Sequence, residues 1–145
     1  MFKGEYNFNL DDKGRVIIPA KMREALGREF VMVKGFEHCL SLYAAADWEL
    51  REKELLRQSA DRAEARAFIR IYLAGAADME LDKQGRVVLP NAYREYASLE
   101  REITIIGAGS SVEIWSTRKW QEYKEHYAEH FEELAEKMAD LGLGI

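Results

Sequence analysis

Apolar and polar residues alternate strictly over Glu5–Leu10, with Tyr6, Phe8 and Leu10 on one side and Glu5, Asn7 and Asn9 on the other. That is the period of a half-buried strand. Ala77, Met79 and Leu81 repeat it against Asp78, Glu80 and Asp82. Each strand runs into a short polar stretch ending at Gly14 or Gly85, where a tight turn calls for the positive φ that glycine adopts without steric cost. The runs Val16-Ile17-Ile18 and Val87-Val88-Leu89 predict a second, largely buried strand after each turn. Pro19 and Pro90 suit the first turn of a short helix, and Gly27 is positioned to stop the first of these helices. Residues 44–74 read as helical, with Asp47 as a cap ahead of Trp48. From Trp120 to Leu141, the residues Trp120, Tyr123, Tyr127, Phe131, Leu134 and Met138 recur at spacings of three and four, predicting one closing amphipathic helix.

The pattern is a duplication. Leu10–Arg23 realigns 71 positions later on Leu81–Arg94 with seven of 14 residues identical, where ordinary residue frequencies would give about one. Both prolines of the chain occupy the same repeat position. Farther on, Phe30-Val-Met-Val answers Ile103-Thr-Ile-Ile, Leu40-Ser-Leu answers Val112-Glu-Ile, and Trp48 answers Trp120. Each copy reads as strand, turn, strand, short helix, strand, turn, strand. The resulting organisation is a first copy over residues 5–47, a helical linker over 48–75, a second copy over 76–119 and a C-terminal helix over 120–145. A copy of this size lies near the limit of roughly 40 residues below which a lone core seldom suffices. The two copies are therefore expected to pack on each other as a pseudo-twofold dimer within one chain.

Composition narrows the class. No apolar stretch approaches the roughly 18–20 residues of a membrane span, the opening residues lack the apolar run of a secretory signal, and the single cysteine, Cys39, has no partner for an internal disulfide. A cytoplasmic protein is expected. The formal charge of −5 is unevenly spread: residues 1–119 balance, and residues 120–145 hold seven acidic and two basic side chains. An acidic total thus leaves room for an anionic partner elsewhere on the surface.

Candidate chemistry centres on Arg15 and Arg86, each just after a glycine turn. Arginine stays charged, and its planar fork matches phosphate or the O6/N7 edge of guanine. Asp11 and Asp82, four residues earlier, are expected to orient those arginines and close the turns; Lys13 and Lys83 would add phosphate or base contacts. The plainer reading of each pair is a hairpin salt bridge worth about 0.2–1 kcal/mol. Arg62, Arg66 and Arg70 share a helical face that reads first as solvated; contact with the acidic closing helix of a neighbour is the alternative. His126-Tyr-Ala-Glu-His130 fits an H-x-x-E-H pattern with both imidazoles on one helix face, but too little chain follows for a further ligand, so no metal is expected. His38 and Cys39, adjacent on a strand, would point apart, and Cys39 reads as a small buried hydrophobe. Gly107-Ala-Gly-Ser-Ser111 reads as a turn. No acid, base and nucleophile converge, so neither catalysis nor a cofactor is expected.

The opening Met-Phe-Lys-Gly, the doubled Leu-Asp-x-x-Gly-Arg-Val-x-x-Pro and the Arg23 and Arg94 beyond it resemble the MraZ family of bacterial transcription regulators, built from two SpoVT-AbrB domains. The resemblance covers essentially the whole chain. It implies an α+β, mainly β fold: a duplicated AbrB-type swapped-hairpin β-barrel, double-psi-like, with linker helices and a C-terminal helix. It also implies a homo-oligomeric ring, octameric or dodecameric, that binds double-stranded promoter DNA at repeated boxes upstream of division and cell-wall genes, in the cytoplasm at the nucleoid. Lys13, Arg15, Lys83 and Arg86 would contact DNA, with Asp11, Gly14, Asp82 and Gly85 orienting them. A scaffold or antitoxin-like partner that binds no DNA is the reading from a different class.

Overall fold

The computed structural model describes residues 1–57 and 61–144. Each copy contributes four strands and a short helix. The first has β1 (Glu5–Asn9), β2 (Arg15–Ile17), α1 (Ala20–Leu26), β3 (Glu29–Lys34) and β4 (Leu40–Ala44). The second has β5 (Ala77–Glu80), β6 (Arg86–Val88), α4 (Asn91–Tyr96), β7 (Glu102–Gly107) and β8 (Val112–Ser116). Between the copies run α2 (Ala45–Leu56) and α3 (Ala63–Ala74), and after them α5 (Thr117–Ala128) and α6 (Phe131–Asp140).

Pairing crosses between the copies. A six-stranded antiparallel sheet has the order β1-β7-β8-β4-β3-β5, and β2 pairs with β6 in a separate ribbon. Thus β1 of the first copy lies on β7 of the second, and β5 of the second lies on β3 of the first. In the ribbon, Val16 faces Val87, its own repeat mate; in the sheet, Ser41 faces Glu113, again its repeat mate. These two self-equivalent pairs mark where the pseudo-twofold axis crosses the molecule. The fold is a duplicated, swapped-hairpin β-barrel.

One core serves both copies. Phe30, Met32, Leu40 and Leu42 from the first meet Ile103, Ile105, Val112 and Ile114 from the second, and Val16, Ile18, Val87 and Leu89 close it from the ribbon. The central strands are covered on both faces, so β3 reads as a continuous apolar run. Val31, Val33 and Tyr43 pack outward against Trp48, Tyr72 and Ala76 of the linker segment. On the other half, Trp115 packs against Trp120 and Tyr123 of α5.

Several local expectations change. The ribbon strands are not largely buried: Val16 and Ile18 point in while Ile17 is 44% exposed, and Val87 and Leu89 point in while Val88 is 53% exposed. Pro19 and Pro90 stand one position before their helices, in extended geometry. Gly27, at φ 83°, ends α1 with its N–H on the Arg23 carbonyl. The described linker residues are helical in α2 and α3, with residues 58–60 outside the described residues; Asp47 lies within the first turn of α2, and Ala44 rather than Asp47 holds the cap position, without a side-chain bond. The closing segment also breaks: α5 ends at Ala128 and His130 precedes α6. Ile145 lies outside the described residues.

Ile114 is fully buried in the shared core, whereas Ile17 faces solvent. Ile114→Ala is expected to destabilise the fold by about 2–5 kcal/mol, and Ile17→Ala by no more than about 0.5 kcal/mol. Chemical denaturation of the two variants measures the difference.

Candidate nucleic-acid interface

The turn joining β1 to β2 is closed by one carboxylate. Asp11 Oδ1 accepts the backbone N–H of Lys13 at 2.9 Å and of Arg15 at 2.8 Å, and Oδ2 accepts Arg15 Nε at 2.6 Å. Gly14, at φ 73°, returns its N–H to the Asp11 carbonyl at 3.0 Å. The second copy repeats the geometry. Asp82 Oδ1 accepts from the N–H groups of Gln84 and Arg86, both at 2.9 Å, Oδ2 accepts Arg86 Nε at 2.8 Å, and Gly85 lies at φ 76°. An aspartate four residues before an arginine thus does two jobs: it satisfies the turn amides and fixes the guanidinium by a charge-assisted bond. The backbone N–H of Arg15 on Asp11, and of Arg86 on Asp82, are the largest causes holding both carboxyls below their ordinary value of 3.8.

Directly opposed residues of an antiparallel pair share a face. Arg15 opposes Val88 and Ile17 opposes Arg86. The outer face of the ribbon therefore carries two arginines and two exposed aliphatic side chains in pseudo-twofold arrangement. The arginines are diagonal neighbours, with backbones roughly 7–8 Å apart. Each is drawn by its aspartate toward its own turn, so the guanidinium groups spread toward opposite ends.

The hairpins are stitched to the opposite copy. Leu89 donates its N–H to the Gly14 carbonyl at 2.8 Å, and Ile18 to the Gly85 carbonyl at 3.0 Å. Arg23 of the first copy reaches the second turn, with Nη1 on the Gln84 carbonyl at 3.3 Å. Arg94 of the second copy lies over the first turn: its Nε donates to the Leu89 carbonyl at 2.9 Å, and its Cζ is 3.0 Å from where a Cβ on Gly14 would stand. A Cβ on Gly85 would overlap the Arg23 guanidinium. Glycine is required at both turns for φ and for this close approach. Spacing arguments omitted Arg23 and Arg94 from the site; their shared repeat position was the signal that pointed to them.

Lys13 and Lys83 are exposed at the turn tips. The copies differ beside them. Among the described residues the terminal nitrogens of Arg15 make no hydrogen bond, whereas Arg86 Nη2 donates to Gln84 Oε1. The first turn carries Asp12 and Lys13 where the second carries Lys83 and Gln84.

The other candidate groups do not assemble a site. His126 lies in α5 and His130 in the break before α6, with His130 Nδ1 3.4 Å from Glu133, so the pair shares no continuous helical face. Among the described residues no cluster of metal-ligating side chains occurs. His38 lies in a 3₁₀ turn (Phe36–His38) rather than on a strand, and its ring stacks on Tyr96. Cys39 is fully buried, and burial is the largest cause pushing its thiol up to about 12. Gly107 ends β7, and residues 108–111 join it to β8. Among the described residues no helix is long and apolar enough to cross a membrane.

Together, the exchanged hairpins and the two aspartate-held arginines define a duplicated swapped-hairpin barrel with one basic ribbon. The MraZ family model, described as "MraZ protein, putative antitoxin-like", matches twice, over residues 1–71 and 72–142. Transcriptional regulator MraZ of Syntrophomonas wolfei subsp. wolfei is 50% identical over 143 residues, 99% of this chain and 100% of that one. The protein of the same name from Pelotomaculum thermopropionicum is 48% identical over 145 residues, all of both chains. That of Moorella thermoacetica is 47% identical over 143 residues, covering 99% of this chain and 100% of its own. The chain belongs to the MraZ family.

A carboxyl whose pKa is depressed by folding stabilises the fold above its unfolded value and loses that contribution as pH falls through its folded value. Asp11 and Asp82 are therefore expected to titrate below 3.8 by carboxyl-carbon NMR. Asp11→Asn and Asp82→Asn together should flatten the acid limb of the stability profile; an unchanged limb would show that the turns do not depend on these charges.

Proposed function

We propose that the chain is a sequence-specific DNA-binding transcriptional regulator, acting in the cytoplasm at the nucleoid, that represses by occupying tandem promoter boxes as a homo-oligomeric ring. The observation that carries this reading is the pair of aspartate-anchored arginines on the exposed face of one two-stranded ribbon. The major groove of B-DNA, about 12 Å wide, admits such a ribbon. Arg15 and Arg86 are suited to guanine edges or phosphates, Lys13 and Lys83 to the flanking backbone, and Ile17 and Val88 to thymine methyl groups. Asp11, Gly14, Asp82 and Gly85 hold the turns in register, and Arg23 and Arg94 add positive charge beside each turn from the opposite copy. Division and cell-wall genes are the targets that the family resemblance suggests.

The oligomer follows from magnitudes. Four phosphate contacts give a salt slope of only about −3.6 at about −0.9 per neutralised phosphate. One subunit thus binds weakly, while linked subunits on tandem boxes gain about 10²–10⁴ in avidity. Fluorescence anisotropy on tandem-box promoter DNA across a salt series tests the reading. Arg15→Ala and Arg86→Ala should each weaken binding and flatten the slope, with the double variant lowest and the fold intact by circular dichroism. Wild-type protein that gives no specific shift, or a double variant that binds like wild type, overturns it.

A further inference from the structure

The two arginines of the ribbon are tethered differently. A guanidinium carries five N–H groups in a fixed fork: Nε–H and one N–H of Nη2 share its side edge, and Nη1 and Nη2 form its tip. In Arg86 the side edge is filled from end to end, with Nε donating to Asp82 Oδ2 at 2.8 Å and Nη2 to Gln84 Oε1. Gln84 is itself held at three points. Its N–H donates to Asp82 Oδ1 at 2.9 Å, its carbonyl accepts Arg23 Nη1 of the opposite copy at 3.3 Å, and its side chain takes Arg86. In Arg15, among the described residues, only Nε is engaged, by Asp11 Oδ2 at 2.6 Å. Lys13 stands at the repeat position of Gln84. A lysine has three donors and no acceptor, so it cannot tether a guanidinium. Arg94, the repeat mate of Arg23, donates to the Leu89 carbonyl instead.

Two bonds along one edge fix the plane of a guanidinium, whereas one bond leaves it free to turn. The tip of Arg86 is thereby left as two parallel donors in a set orientation, the arrangement that matches O6 and N7 of a guanine. Arg15 and Lys13 place two cations side by side with no neutral acceptor between them. That suits a phosphate, which accepts from many directions and carries no sequence information. The lysine of the second turn, Lys83, stands one position earlier, where the first turn has Asp12. The second turn thus keeps a cation for the backbone and frees the position beside its arginine for an acceptor.

We propose that Gln84 is a positioning residue that sets Arg86 as the guanine reader of the ribbon, while Arg15 with Lys13 holds the phosphate backbone. The inference rests on the DNA-binding reading above and divides its site between reading and holding. Equal halves would let a pseudo-twofold ribbon seat on a box in either direction. One locked and one loose arginine give the seat a direction.

Fluorescence anisotropy on the full chain tests it, with tandem-box promoter duplexes in which each guanine is replaced in turn by 7-deazaguanine, which lacks the N7 acceptor. The wild type should lose about tenfold in affinity at the guanines it reads. The guanine to which Arg86→Ala becomes indifferent is the one that Arg86 contacts. Gln84→Met keeps length and neutrality but accepts only weakly, and should lose most of the penalty at that guanine. Gln84→Glu keeps the acceptor and should retain the penalty, although its negative charge lowers affinity for every duplex. Gln84→Lys should bind every duplex more tightly, steepen the salt slope by about 0.9 and discriminate least. Circular dichroism confirms that each variant folds. The assignment is overturned, with DNA binding left standing, by a wild type indifferent to 7-deazaguanine throughout or by a penalty that follows Arg15 alone. Gln84→Met that discriminates like the wild type, or Gln84→Glu that loses the penalty as Gln84→Met does, also overturns it. A wild type that binds no promoter DNA overturns this assignment and the DNA-binding reading together.

Discussion

The exchange of β1 and β5 between the two copies is the constraint on which the rest of the molecule depends. A copy of this length cannot enclose a core alone, and its β3–β4 pair leaves the outer edge of β3 unpaired. The other copy supplies the missing strand, β5 on β3 and, by the pseudo-twofold, β1 on β7. Because each first strand is committed to the opposite half, the turn that follows it is delivered there too. That is why Leu89 and Ile18 bond to the glycine turns of the opposite copy, and why Arg23 and Arg94 cover those turns. The arginine-bearing ribbon is a by-product of how the core is closed.

Within that frame, the aspartate in each turn converts a flexible cation into a fixed one. An exposed arginine ordinarily samples many rotamers, and ordering it on binding costs free energy. Here the Nε bond to Asp11 or Asp82 holds the guanidinium in place beforehand, while the turn amides restrain the carboxylate. The pair contributes little to stability as an exposed salt bridge; its value lies in direction. The two turns are alike in backbone and unlike in decoration, since Gln84 accepts from Arg86 Nη2, whereas Lys13, at the same repeat position, carries a cation beside Arg15. The ribbon is thus pseudo-symmetric in backbone and unequal in its two halves.

The duplication is strict where strands exchange and lax outside. After the first copy, α2 and α3 cover Val31, Val33 and Tyr43 before the chain re-enters the barrel. After the second, α5 covers Trp115 in the same manner, but α6 leaves the barrel and keeps Phe131 and Leu141 in solvent. Divergence in these segments costs the core nothing, so charge segregates there. Residues 1–119 stay neutral, and the tail carries the whole acidic excess.

Much was legible in order along the chain. Alternation over Glu5–Leu10, the two glycine turns, Gly27 as a helix stop and the strand order of each copy are local properties, set by side-chain period and by φ at single residues. The aspartate and arginine of each turn were legible for the same reason, four residues apart across one tight bend. Local pattern misjudged the ribbon, because Ile17 and Val88 are β-branched like buried neighbours yet face outward from a two-stranded element with solvent on one side. It also misjudged the closing segment as one helix, because spacings of three and four persist across a break at His130.

What the sequence by itself determined is the repeat, its elements and the chemistry of its turns. Only the tertiary structure decided which copy each strand serves, since β1 and β5 carry the same period and present the same edge to either partner. It also brought Arg23 to Gly85 and Arg94 to Gly14, across separations that no local spacing encodes. The physical reason is that hydrogen-bond ladders and close packing are satisfied in space, by closing one core from two incomplete halves, and not along the chain.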